Sequence, residues 1–158
     1  MSIRSTGLLR AAVLFMGLFV LLLSFLALPA ILRDALGFFP PLVIYPLGAG
    51  LYLTTLPFFG ALGQAWKLLR LIDKGEAFTS ASVKALRTIR NLAAVITVLY
   101  TLCLPLFYLM AEYDDAPGFV IIGLLPTFAA FVIGVFAAVL EKLLQEALQI
   151  KNDLDLTI

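Results

Sequence analysis

The chain has 158 residues, enough for one domain, but 63% of them are hydrophobic and only 13% charged, against about 45 to 50% and 25% in soluble domains. Such a composition excludes a water-soluble globule and points to an integral membrane protein. Without His and with a single Cys, the sequence also excludes a Cys/His metal site or a disulfide framework within one chain.

Four stretches, 11–32, 35–66, 91–111 and 116–140, contain no Asp, Glu, Lys or Arg. Each reaches the ~20 residues that a helix needs to cross the hydrocarbon, so four spans are expected. In the first, the Leu, Ile, Phe and Val residues between Ala11 and Leu32 favour insertion by roughly 4 to 8 kcal/mol in sum. Arg4 and Arg10 ahead of it, and Ala27-Leu28-Pro29-Ala30 within it, resemble a signal peptide, but the run exceeds the ~7 to 15 residues of an h-region. It is read as a span.

The second stretch begins with Gly37, Pro40, Pro41 and Pro46, which predicts an irregular lead-in to one helix. Gly48-Ala49-Gly50 has neither the strand before it nor the Lys-Ser or Lys-Thr after it that a phosphate loop needs. It is expected to be a flexible or closely packed helix start. Pro57, and Pro105 and Pro126 in the later spans, are expected to bend their helices. Thr54 and Thr55 stand where a hydroxyl could satisfy a carbonyl freed by Pro57.

Residues 66–91, WKLLRLIDKGEAFTSASVKALRTIRN, hold six of the eleven Lys and Arg residues. Lys74-Gly75-Glu76 is a helix stop, Thr79 a candidate N-cap, and Phe78 can staple onto Val83. Val83, Leu86, Ile89 or Arg90, and Ala93 then recur at helical spacing, with Lys84, Arg87 and Asn91 on the wetter face. A helical hairpin over 67–90 is expected.

In the third span Cys103 reads as a small apolar packing residue. In the fourth, Ala130, Gly134 and Ala138 form a stripe of small residues, expected to pack inside the bundle or, alternatively, between copies. Beyond it, Leu140, Leu143, Leu144, Ala147 and Leu148 form an apolar stripe with Glu141, Lys142, Gln145, Glu146 and Gln149 opposite. This extension is expected to pack on the basic hairpin, with ion pairs at the rim worth under about 1 kcal/mol each. The final NDLDLTI alternates polar and apolar residues as an extended segment would.

Ten of the eleven Lys and Arg residues lie in the N-terminal segment, the 66–91 stretch and the C-terminal segment, while Glu112, Asp114 and Asp115 fall in another loop. By the positive-inside rule the basic segments, both chain ends included, are expected in the cytoplasm. Trp66 marks the inner boundary, and Phe38, Phe39, Tyr45, Tyr108, Tyr113 and Phe119 the outer one.

Ionisable residues at membrane depth usually mark catalysis or ion coupling, and none is expected inside these spans. Ser24, Thr54, Thr55, Gln64, Thr97, Tyr100, Thr101 and Tyr108 supply no nucleophile and base pair. No catalytic, cofactor-binding or metal-binding residue is therefore expected, and the chain is read as a non-enzyme. The hairpin's net charge of +4 could attract anionic lipid at about 1 kcal/mol per charge, but topology alone accounts for it. No direct nucleic-acid binding is expected.

LIDKGEAFTSASVKALRTIRN and the closing EKLLQEALQIKNDLDLTI, set in a four-span layout, resemble the bacterial inner-membrane family catalogued as domain of unknown function 2975. Gly75, Glu76, Phe78 and Thr79 match its Gly-Glu-x-Phe-Thr/Ser step, followed by a helix with Leu86 and Arg87. Asp155, Leu156, Thr157 and Ile158 match its terminus, although Leu154 interrupts what is expected to be a more acidic run. The resemblance implies no catalytic residues. It implies a membrane protein encoded beside a small helix-turn-helix regulator, and hence a cytosolic, transcriptional partner.

The expected architecture is an all-α integral membrane four-helix bundle with short cytoplasmic helical extensions. It is one domain over 1–158, with spans at about 9–32, 44–70, 90–111 and 119–141, the hairpin at 67–90 and the C-terminal helix and tail at 141–158. It is expected in the bacterial cytoplasmic membrane, in contact with the lipid bilayer. Its cytosolic surface is expected to bind a protein through Phe78, Lys84, Arg87, Glu146, Leu154, Leu156 and Ile158. The alternative is a small transporter, pore or resistance protein that forms a homo-oligomer through Ala130, Gly134 and Ala138.

Overall fold

The computed structural model describes the backbone of residues 3–157 and the side chains of residues 7–156. The chain folds as α1 (Ile3–Leu22), a five-residue π-helical segment (Leu23–Ala27), α2 (Leu28–Ala35), α3 (Pro41–Asp73), α4 (Ser80–Tyr113) and α5 (Gly118–Thr157). There is no strand among the described residues. Four helical stretches, Gly7–Ala35, Pro41–Asp73, Ser80–Tyr113 and Gly118–Leu156, are long and apolar enough to cross a membrane.

The helices pack largely in chain order: α1 on α3, α3 on α4, and α4 most extensively on α5. The α4–α5 interface is built from small residues. Ala130 and Ala137 are buried, and a Cβ added to Gly134 would come within 3.4 Å of Ala93 Cβ. At Gly123 an added Cβ would come within 2.6 Å of the Phe107 ring. Gly134 is thus turned toward α4 in the same chain. Of the stripe, Ala130 is buried and Gly134 faces α4, whereas Ala138 is half-buried and Ala137 takes the inward place; close backbone approach supplies the dispersion contacts that join helices in lipid.

Gly48 and Gly50 are close-packing positions too, against Leu32 and against the Cys103 thiol. Cys103 is buried in a cluster with Phe39, Val43, Ile44, Leu47, Phe107 and Met110. The Phe39 ring meets Phe119 edge-on at 5.6 Å and Tyr113 at 5.8 Å. The cluster closes the acidic end of the molecule, where Glu112, Asp114 and Asp115 lie.

Both reversals between the long helices end in the same backbone device. At the end of α3, the Glu76 N–H donates to Leu71 O and the Gly75 N–H to Ile72 O, with Gly75 at φ 73°. At the end of α4, the Ala116 N–H donates to Ala111 O and the Asp115 N–H to Glu112 O, with Asp115 at φ 52°. Each is a left-handed cap that satisfies carbonyls the helix leaves open. Lys74-Gly75-Glu76 therefore stops its helix as expected.

Several local expectations are corrected. Instead of an irregular lead-in as far as residue 44, α3 begins at Pro41, whose fixed φ suits a first helical position, and runs on through Pro46. Pro57, Pro105 and Pro126 lie inside α3, α4 and α5, as their place within the spans led one to expect. The Thr54 and Thr55 hydroxyls donate to Leu51 O and Tyr52 O, each at 2.6 Å. The carbonyl freed by Pro57 belongs to Leu53, so neither hydroxyl serves it. Thr79 occupies the N-cap position with extended backbone, but its hydroxyl donates to Glu76 O at 2.8 Å and makes no capping bond. The loop's open carbonyl outcompeted the amide.

The largest departure is at the C-terminus. NDLDLTI is not extended: α5 continues to Thr157. Period-two alternation over so few residues cannot override propagation, because each added helical residue gains a hydrogen bond at no further nucleation cost.

Candidate docking surface at the basic end

The polar features of the molecule concentrate at the end where α1 starts, α3 meets α4, and α5 runs on. Two charged clusters tie the helices there. In the first, Arg10 of α1 pairs with Asp73 of α3 at 2.5 Å and lies over the Trp66 ring, 5.3 Å from its centroid. The same guanidinium buries its Nε without a hydrogen-bond partner. Trp66 is therefore more than a boundary marker, because its ring holds the Arg10 cation.

The second cluster joins α4 to α5. Arg87 Nε donates to Glu141 Oε1 at 2.9 Å, and Arg90 Nη1 donates to Glu141 Oε2 at 2.6 Å. The Glu141 side chain is only 6% exposed, against 47% and 38% for the two arginines. This corrects two expectations. Glu141 does not lie on a solvated face, and the ion pairs are not at the rim. Ala130, Gly134, Ala137, Glu141 and Leu144 recur at spacings of four and three along α5, so Glu141 continues the inward seam into a place where only charged partners can compensate its desolvation. Arg87, expected to serve an outside partner, is engaged within the chain. A helical-face reading could have found Glu141 by extending the small-residue stripe one more turn.

Next to this clamp, Leu68, Ile72, Ala77, Phe78, Ser82 and Leu86 from the hairpin face Leu140, Leu143, Leu144 and Ala147 of α5 across an apolar crevice of about 480 Å³. Phe78 is 58% exposed and lines the crevice, while Val83 is buried. Lys84, Glu146, Leu154 and Leu156 are exposed. Ile158 lies outside the described residues. The structure thus brings Phe78 beside the α5 extension, while Glu146, Leu154 and Leu156 lie farther out along it. Helix α5 runs about 24 Å past Glu141, and α3 only about 10 Å past Trp66.

Within the membrane-length part, a second cavity of about 380 Å³ lies among α1, α3, α4 and α5, lined among others by Met16, Thr54, Tyr100 and Ala130. Its hydroxyls are few, and those of Thr54 and Thr55 are bonded to their own helix. No group of His, Cys, Asp and Glu able to hold a metal occurs among the described residues.

Four long apolar helices, small-residue packing and charge gathered at one end define a multi-pass helical membrane protein. The chain belongs to the family described as protein of unknown function DUF2975, whose model matches residues 41–158. It is 46% identical over 156 residues to the uncharacterized membrane protein YoaS of Bacillus subtilis (strain 168), with 98% of each chain covered. No solved structure matches.

Proposed function

We propose that this protein is a non-enzymatic membrane platform whose basic end faces the cytosol and docks a cytosolic protein. The observation that carries the reading is the apolar crevice between the hairpin and α5, with a 58% exposed Phe78 at its wall. An exposed aromatic beside an apolar crevice at the tip of the hairpin suits an amphipathic helix laid into a groove. Lys84, exposed on the same hairpin in a stretch of net charge +4, favours an acidic partner surface. The placement in the cytosol is supported by the gathering of Lys and Arg at this end. The family resemblance supports a helix-turn-helix regulator as the partner, and the cytoplasmic membrane of a bacterium as the site.

The test is co-sedimentation of a purified helix-turn-helix regulator of the kind that the family resemblance implies, from the same genome, with vesicles carrying the full-length protein, basic end outward. Binding is expected, and Phe78→Ala with Lys84→Glu should weaken it about tenfold or more, as loss of an anchor residue does. No binding, or binding indifferent to both changes, would overturn the reading.

The transporter alternative draws on the intramembrane cavity of about 380 Å³. It is weaker, because the oligomer face it required includes Gly134, which is packed against Ala93 of its own chain.

A further inference from the structure

Helix α5 carries two apolar seams. One, through Ala130, Gly134, Ala137, Glu141 and Leu144, turns toward α4. The other runs Leu140, Leu143, Ala147, Ile150 and Leu154, at spacings of three, four, three and four. Leu140, Leu143 and Ile150 of this second seam are 51%, 56% and 62% exposed.

We propose that the second seam is the core of a parallel coiled coil with a second copy of this chain. A 3.5-residue period keeps a stripe facing another helix along a shared axis, so the fitting partner is itself a helix. Leu140, Ala147 and Leu154 take the a positions, and Leu143 and Ile150 the d positions. That register puts Glu146 at g and Lys151 at e. In a parallel pair the g residue of one helix meets the e residue of the next heptad in its partner, so Glu146 of each copy faces Lys151 of the other. An antiparallel pair would not make this match. Copies inserted the same way in one membrane can only run parallel.

The seam from Leu140 to Leu154 is about 21 Å long, which is marginal for association in water. Two copies tethered in one bilayer, however, meet at a high effective concentration. Leu140, Leu143 and Ala147 also line the crevice beside Phe78. Pairing therefore covers the α5 wall of that crevice, so a second copy and a docked helix compete for it.

The test uses the full chain in native membranes with Cys103→Ala and one new cysteine at a time, treated with a short bis-maleimide. Leu143→Cys and Ile150→Cys, at d, should give about fivefold more cross-linked dimer than Gln149→Cys and Asn152→Cys, at c and f. In the Ile150→Cys background, Glu146→Lys should lower the yield and Glu146→Lys with Lys151→Glu should restore it. Equal yields at all four positions, no dimer at positions that a monofunctional maleimide labels, or indifference to Glu146→Lys would each overturn the proposal. None of these readouts involves the cytosolic partner. A dimer without docking sinks only the docking reading, and docking without the dimer sinks only the coil.

Discussion

Helix α1 and the α4–α5 pair are equally oily to the eye, yet they are held in place by different means. The α4–α5 pair approaches closely over small residues and is locked by a buried carboxylate between two guanidiniums. Very little of the most apolar stretch of α1 is buried, and the helix is fixed instead by a few polar points on α3. One is the contact of Arg10 with Asp73 and Trp66. Another is the Tyr52 hydroxyl, which donates to Ser24 O at 3.1 Å.

The Tyr52 bond has a local cause. In the π-helical segment the Leu28 N–H reaches back to Leu23 O, and the next residue, Pro29, has no N–H to give. The Ser24 carbonyl is thus left open in an apolar setting, where an unsatisfied group is costly. Tyr52 supplies the missing donor from the neighbouring helix. The contrast teaches that hydrophobicity decides which segments insert, whereas small residues and a few polar bonds decide how they pack, because lipid competes equally for apolar surface.

Breaking the α4–α5 lock should have the largest effect. Arg87→Ala with Arg90→Ala leaves Glu141 buried and unpaired, at an expected cost of about 3 to 5 kcal/mol. Denaturant titration of the detergent-solubilised protein should show early loss of the α4–α5 contact, and a cost below about 1 kcal/mol would mean that Glu141 reaches water. A smaller loss is expected at α1. Tyr52→Phe leaves the Ser24 carbonyl without its donor, for about 1 to 3 kcal/mol. That loss should appear as faster labelling of a cysteine placed at Ser24, with the α4–α5 contact unchanged. If both contacts loosened together, the two regions would be one cooperative unit.

Much of the architecture was legible in the sequence. The charge-free stretches predicted four long helices, Lys74-Gly75-Glu76 a helix stop, and Ala130 and Gly134 an inward packing face. What escaped depends on a third dimension. Polarity alone puts Glu141 on the wet face, although its helical register with Ala130, Gly134 and Ala137 turns it inward, and its partners lie more than fifty residues away in α4. The tail after Lys151 alternates as a strand would, but α5 already runs into it and propagates through it to Thr157. Phe78 was legible as a candidate, but the crevice beside it was not, since half its wall comes from α5.

The central claim is that the basic hairpin and the α5 extension lie in the cytoplasm, and one topology measurement tests it directly. With Cys103→Ala as background, single cysteines at Ser80 and Asp115 are exposed, on intact cells, to a maleimide that cannot cross the membrane. The account predicts labelling at Asp115→Cys, with Ser80→Cys reacting only after the cells are opened. Labelling of Ser80→Cys on intact cells, with Asp115→Cys protected, would contradict it.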